Sequence, residues 1–252
     1  MGILNLTPDS FSDGGLHNTL QNALKRIEQM EADGADIIDI GAESSGPNSS
    51  AISEKEELAR LIPILKAARK ITKLPISIDT YKAEVARQAL EEGANMINDI
   101  TALRGDAKMA AVIAKHNCPV ILMYSKDPTA RTTIAEKEYD DVMKTISDFF
   151  TERIKYAEEN GIKQIILDPG MGHFISALPK YSFEIIERLE ELKKFNKEIL
   201  IGISRKSLLG GMLEERDKKG PIAESIANLN GASIIRTHNI KATKESICQT
   251  CN

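Results

Sequence analysis

The sequence predicts an α/β fold, a (β/α)8 TIM barrel built from residues 1–252 as a single domain. Three observations predict it. An amphipathic helix, a closing glycine and a short apolar run ending in a polar residue recur four times; four further apolar runs bring the strands to eight; and the longest non-helical stretches follow strands rather than precede them.

Gly2-Ile-Leu-Asn5 is the first strand. Leu20, Leu24, Ile27 and Met30 then recur at helical spacing up to Gly34-Ala-Asp-Ile-Ile-Asp39, the second strand. Ser53-Glu-Lys-Glu56 has the capping-box pattern that opens a helix, and Pro63 within that helix predicts a kink. Leu74-Pro-Ile-Ser-Ile-Asp79 is the third strand, and its proline sits at the start, where it costs no ladder bond. Val85, Ala89 and Leu90 mark a helix before Gly93-Ala-Asn-Met-Ile-Asn98; Cys118-Pro-Val-Ile-Leu-Met123 follows, with His116 at the preceding helix end. Gly161-Ile-Lys-Gln-Ile-Ile-Leu-Asp168, Glu198-Ile-Leu-Ile-Gly-Ile203 and Gly231-Ala-Ser-Ile-Ile-Arg236 complete the set, and a short helix starts near Ile240. Continuous apolar strands alternating with helices indicate a parallel sheet covered on both faces. An open doubly wound sheet would gather its polar strand ends at one switch point, whereas here they are spread over nearly every strand.

The stretches Thr7 to Asn18, which includes His17, Gly41 to Ser53, Tyr124 to Ala135 and Pro169 to Lys180 read as loops at the catalytic end of such a barrel. Hydrophobic residues at 42% and charged residues at 28% fit an ordinary packed domain. A net charge of −4 gives no basic face for nucleic acid, and the opening run is broken at Thr7-Pro8-Asp9, too early for a membrane span. Cys118, Cys248 and Cys251 cannot all pair, so the expected compartment is the cytoplasm. Cys248-Gln-Thr-Cys251 has no second ligand pair nearby and reads as tail.

The residues at or just beyond the strand ends are Asn5, Asp39, Asp79, Asn98 with Asp99, Met123, Asp168, Ser204-Arg-Lys-Ser207, and Arg236 with His238. A single aspartate there commonly caps the next helix, but six or more such polar ends exceed what capping needs. Carboxylates and amides close the earlier strands, while cations close the seventh and eighth. Arg205, Lys206, Arg236 and His238 supply donors for an anion, the usual partner of those two loops in barrels. Asp79, Asn98 and Asp168 could read the amide and amino edge of a flat heterocycle, or a carboxylate pair among them could do acid–base work. The site therefore takes a small anionic heterocyclic substrate.

Met1-Gly-Ile-Leu-Asn-Leu-Thr-Pro-Asp-Ser-Phe-Ser-Asp-Gly14 resembles the first signature of the dihydropteroate synthase family. Six more motifs resemble that family in its own order: Asp36-Ile-Ile-Asp-Ile-Gly41 leading to Glu43-Ser44, Ser77-Ile-Asp-Thr-Tyr-Lys82, Ile97-Asn-Asp-Ile100, Leu167-Asp-Pro-Gly170, Ser204-Arg-Lys-Ser207 and Ile235-Arg-Thr-His238. The resemblance implies condensation of dihydropterin-methyl diphosphate with 4-aminobenzoate in folate synthesis. It further implies Mg²⁺ at Asn5, a diphosphate clamp of Arg236 and His238, a pterin pocket of Asp79, Asn98, Asp168 and Lys206, and Ser45 near the aminobenzoate. Loops bearing Asp9, Phe11 and Ser45 are expected to close over the site, and members of the family usually form homodimers.

Two departures stand out. Ser44-Ser-Gly-Pro-Asn48 replaces the usual Ser-Thr-Arg-Pro-Gly, so Gly46 stands where an arginine is expected, and His173-Phe-Ile-Ser176 replaces Phe-Gly-Lys-Thr, resembling the sulfonamide-insensitive branch. The alternative is a pterin-binding corrinoid methyltransferase domain, which shares the barrel and pterin pocket but needs no diphosphate clamp.

Overall fold

The computed structural model describes residues 1–6 and 15–250; Asp9, Phe11 and Cys251 lie outside the described residues. Eight strands alternate with eight α-helices: β1 (Gly2–Asn5), α1 (Gly15–Ala32), β2 (Ile38–Gly41), α2 (Glu54–Ile71), β3 (Ile76–Asp79), α3 (Ala83–Glu91), β4 (Met96–Asp99), α4 (Met109–His116), β5 (Val120–Met123), α5 (Val142–Glu159), β6 (Ile165–Asp168), α6 (Pro179–Glu187), β7 (Glu198–Ile201), α7 (Leu213–Leu229), β8 (Ile234–Ile235) and α8 (Ile240–Thr250). Every strand pairs in parallel with the next in the order β1 to β8, a TIM-barrel-like arrangement. Just past β8, Thr237 forms a parallel bridge to Gly2: Ile3 N donates to its carbonyl at 3.1 Å, and its own N donates to Met1 O at 3.0 Å.

The strands are mostly apolar because both faces are covered. Ile38, Ile40, Ile76, Ile78 and Ile97 pack in the same core as Ile27, Met30, Leu61 and Leu65 of the helices. Burying each of these side chains fully contributes roughly 2 kcal/mol. The opposite face carries Met96, Ile121, Ile166 and Leu200, packed with Met1. Alternation along a strand places Asn98 on the same face as Met96, and Asp168 on the same face as Ile166. An apolar plug thus fills one end of the interior, and polar side chains occupy the other.

The four repeated glycines do what the recurring unit requires. Gly34, Gly93, Gly161 and Gly231 have φ of 88°, 100°, 85° and 111°. The next residue in each case donates back five positions: Ala35 to Met30, Ala94 to Ala89, Ile162 to Ala157 and Ala232 to Ala227. These 6→1 bonds satisfy carbonyls that the helix end would otherwise leave open, and they turn the chain into the next strand.

Some boundaries differ from the sequence expectation. The helix α1 begins at Gly15, so His17 and Asn18 are helical rather than loop. Similarly, α6 begins at Pro179, where a proline's missing N–H costs nothing. The capping box at α2 is half formed: Ser53 accepts from Glu56 N, but the Glu56 carboxylate takes Arg60 at 2.5 Å instead of reaching back. The helix α2 continues from Glu54 to Ile71 through Pro63, and His116 ends α4 as expected.

Candidate active site

Eight of the residues singled out above line one cavity of about 220 Å³: Asn5, Ser45, Asp79, Asn98, Asp168, Lys206, Arg236 and His238. They come from β1, β3, β4, β6 and the loops after β2, β7 and β8. The parallel register brings them together, since Asp79 lies opposite Asn98 and Gly41 opposite Asp79. Ile100, Met123 and Phe174 give the same cavity an apolar wall, suited to a flat ring.

Charge in the cavity is paired across strands. Arg236 donates through Nε to Asp39 Oδ2 at 2.7 Å and through Nη2 to Asp79 Oδ2 at 2.8 Å. Burial works against its charge, but Asp39 and Asp79 outweigh burial and hold the guanidinium above its usual range. Burial pushes the Asp79 carboxyl up to about 7; Arg236 opposes that rise and Asp39 adds to it. Burial also raises Asp168, which accepts from Gly170 N at 2.8 Å, and Lys206 partly offsets that rise. Lys206 itself is drawn down to about 8 by burial, with Asp168 resisting, and its ammonium lies 5.2 Å from the Phe174 ring centroid. The cavity thus holds an acid and a base that titrate near neutrality.

His238 meets Ser204 Oγ through Nδ1 at 3.0 Å, and its backbone N donates to the same oxygen at 3.2 Å. Its carbonyl accepts from Arg26 of α1 at 2.6 Å. Burial, then the cations Arg205 and Arg236, hold the imidazole down at about 3. Burial thus favours the neutral imidazole of His238, which can offer a hydrogen bond to an anion.

Arg205 does not line that cavity but borders an adjoining cleft with Asn5, Arg26 and His238. It adopts a left-handed backbone conformation (φ 61°) and forms a two-pronged ion pair with Asp217 of α7, at 2.8 and 3.0 Å. Asp99 is likewise a local cap, accepting from Thr101 N and Leu103 N at 2.8 Å each. Asp39 stood in the polar ring without an assigned part and proves to be the fully buried partner of Arg236 and Asn98. Its sequence signal was its place one strand before Asp79, but only the packed interior shows what it holds.

A model of the family described as "Pterin binding enzyme" matches residues 1–238. Among curated proteins, the dihydropteroate synthase of Clostridium beijerinckii is 42% identical over 95% of this chain and 88% of its own length. That of Synechocystis is 40% identical over 100% and 88%. The chain belongs to the dihydropteroate synthase family. It is, by that membership, a transferase of folate synthesis. Solved dihydropteroate synthases superpose closely. The Xanthomonas albilineans enzyme with 4-aminobenzoic acid has a TM-score of 0.92 and 36% identity, covering 100% of this chain and 91% of that one. The Clostridium difficile enzyme, crystallised in the presence of pteroic acid, has a TM-score of 0.92 and 39% identity, covering 99% and 94%.

The two departures from the dihydropteroate synthase pattern resolve differently. Phe174, rather than His173, faces the cavity; His173 turns its Nε2 to Ser207 Oγ at 3.2 Å, and its carbonyl accepts from Thr132 Oγ1 at 2.7 Å. Around Gly46 the loop is tied by Ser49 Oγ, which donates to Gly46 O at 2.6 Å and Ser44 O at 2.7 Å. Its neighbour Glu43 gathers Lys82, Tyr81 (3.2 Å) and Arg131, and Lys82 also reaches the buried Glu57 at 2.6 Å. One carboxylate therefore binds the loops after β2, β3 and β5 together beside the cavity. This explains why Glu43 and Lys82 both sit in family motifs without being expected to touch substrate.

Proposed function

We propose that this chain condenses (7,8-dihydropterin-6-yl)methyl diphosphate with 4-aminobenzoate, giving 7,8-dihydropteroate and pyrophosphate. The observation that carries the reading is a single cavity that joins a ring-reading set, Asp79, Asn98, Asp168 and Lys206, to anion donors, Arg236 and His238. Family relatives crystallised with 4-aminobenzoic acid, with 7,8-dihydropteroate and with a sulfonamide drug support it.

In this mechanism the methylene C–O bond to diphosphate breaks, a C–N bond to the arylamine forms, and the amine releases a proton. The Asp168 and Asp79 carboxylates accept ring N–H groups and stabilise the electron-poor methylene pterin. Arg236 and the His238 N–H meet the growing charge on the leaving group, the kind of preorganised electrostatic stabilisation that usually dominates catalysis. A diphosphate beside His238 also favours its imidazolium form, so binding is expected to take up a proton.

The expected Mg²⁺ fits the donors present. Among the described residues no group of three or more His, Cys, Asp or Glu could hold a metal. Mg²⁺, however, characteristically binds through one or two protein oxygens together with waters and substrate phosphates. The Asn5 amide oxygen is such a donor at the cavity wall. When bound, the ion would offset charge on the diphosphate oxygens.

Three finer readings go with this one. The sheet is read as a fully closed (β/α)8 barrel forming one domain, supported by the Gly2–Thr237 bridge. A homodimer is supported by exposed Ile222, Ile226 and Leu229, which follow helical spacing on α7. The cytoplasmic setting rests on cysteine usage, and no described helix is long and apolar enough to cross a membrane.

The deciding experiment is pyrophosphate release with both substrates, with and without Mg²⁺. Release that depends on 4-aminobenzoate supports the reading. Its absence, with methyl transfer from a methylated pterin to a corrinoid protein instead, would replace it with the methyltransferase alternative. Sulfonamide inhibition measured beside the aminobenzoate KM tests what Phe174 and Gly46 do to the second substrate's side.

A further inference from the structure

We propose that Asp39 is a positioning residue for this reaction: without lining the cavity, it sets the direction of Arg236 and fixes which end of the Asn98 amide faces the ring. The inference rests on the condensation reading above and adds a residue to it.

Asp39 is fully buried and is not part of the cavity wall. Its Oδ2 receives two donors from two different strand ends, Arg236 Nε at 2.7 Å and Asn98 Nδ2 at 3.3 Å. A carboxylate paired with a guanidinium has no proton to give, so it can only face the NH2 end of a neighbouring amide. Asn98 is thereby committed, with its Oδ1 left as an acceptor, and that oxygen is buried without a protein partner. Buried polar atoms are nearly always satisfied, so this orphaned acceptor on a cavity-lining residue calls for a donor that the protein does not supply. Asn98 therefore reads a ring N–H, and Asp39 is what keeps it from reading a ring carbonyl. The same oxygen holds the Arg236 chain so that its Nη2 reaches Asp79. Asp39 Oδ1 and Ser77 Oγ, whose residues are register partners on β2 and β3, are also buried without protein partners. They leave this layer of the interior polar, and an apolar side chain would not replace the carboxylate there.

The test compares wild type, Asp39→Asn, Arg236→Gln and the double variant, each with its fold checked by circular dichroism. Three quantities are measured: KM for both substrates, kcat against pH, and calorimetric affinity for 6-hydroxymethylpterin, which lacks the diphosphate. Asp39→Asn keeps the size but lets the amide at 98 turn over. Expected is a roughly tenfold weaker affinity for the pterin and a similar rise in KM for the pterin diphosphate, with KM for 4-aminobenzoate unchanged. The acid limb of the pH profile should also move down, because Asp79 loses a neighbouring negative charge. The double variant removes both charges, so it carries the test should the single variant misfold: it should bind 6-hydroxymethylpterin at least about tenfold more weakly than the wild type, because no carboxylate then orients the Asn98 amide. Unchanged pterin affinity in folded Asp39→Asn, or a loss confined to kcat with the pH limb unmoved, overturns the positioning role. Failure of the wild type to turn over the two substrates would count against the condensation itself.

Discussion

Arg236 Nη2 donates to Asp79 Oδ2 at 2.8 Å across 157 residues of sequence, joining the eighth strand's end to the third. The arginine expected at the diphosphate is thus also paired with a ring-reading carboxylate. A ring that takes the Asp79 acceptor frees that guanidinium nitrogen for the leaving group.

Arg236→Gln should lower kcat about 100-fold, the usual scale for losing one preorganised stabiliser of developing charge. It should also lower stability by about 3 kcal/mol, because buried Asp39 loses its cation. Pyrophosphate release and urea unfolding report the two effects separately. Near-normal turnover in the folded variant would remove Arg236 from the mechanism.

The pH dependence of kcat/KM for the pterin diphosphate should be a narrow bell. Activity needs Asp79 ionised, which is lost as pH falls through about 7, and Lys206 charged, which is lost as pH rises through about 8. Asp79→Asn should abolish the acid limb, and Lys206→Arg should push the alkaline limb out of range. A profile flat from pH 6 to 9 would contradict this assignment.

Asp79 also carries a stability cost. Its folded-state pKa is raised above the unfolded value, so its favourable contribution is complete below about 4 and lost as pH rises through about 7. Asp79→Asn should therefore be the more stable protein at pH 8, by about 1–2 kcal/mol, while turning over poorly. Thermal melts of both proteins at pH 5 and pH 8 check the sign: the variant's advantage should shrink at the lower pH.

Lys82→Met should unfold the clasp around Glu43. It leaves Glu43 and the almost fully buried Glu57 without their shared cation, at a cost of about 3 kcal/mol. Hydrogen exchange should rise in the loops after β2 and β5 before the strands are affected. Uniform protection in the variant would mean that the loops are held by other contacts.

Gly170→Ala should destabilise more than any ordinary surface change. The residue has φ of 71°, and an added Cβ would lie 2.3 Å from Tyr124 O, a backbone atom that cannot step aside. A loss of at least about 2 kcal/mol in urea unfolding is expected. This accounts for the glycine in Asp168-Pro-Gly170 independently of any ligand.

Much of the site was legible in the sequence because a TIM-barrel-like parallel sheet puts the strands' C-terminal ends along the same edge. Once the eight strands are found, Asn5, Asp79, Asn98 and Asp168 must converge, and they do. Less legible were side-chain directions beyond that edge. Arg205 and Lys206 are neighbours, yet the left-handed turn at Arg205 sends it to Asp217 while Lys206 enters the cavity. Of the neighbours His173 and Phe174, likewise, Phe174 lines the cavity while His173 turns to Ser207.

By itself, then, the sequence determined the strand and helix order and the glycine-closed turns, because periodicity and left-handed glycines are local properties, while its ordered motifs carried the resemblance to the family and pointed to eight of the residues that line the cavity. Only the tertiary structure decided that Asp39 grips Arg236 and Asn98, that Glu43 ties three loops, and that burial pushes Asp79 up and Lys206 and His238 down. Those properties depend on burial and on charges brought together from distant parts of the chain, and local residue patterns carry neither.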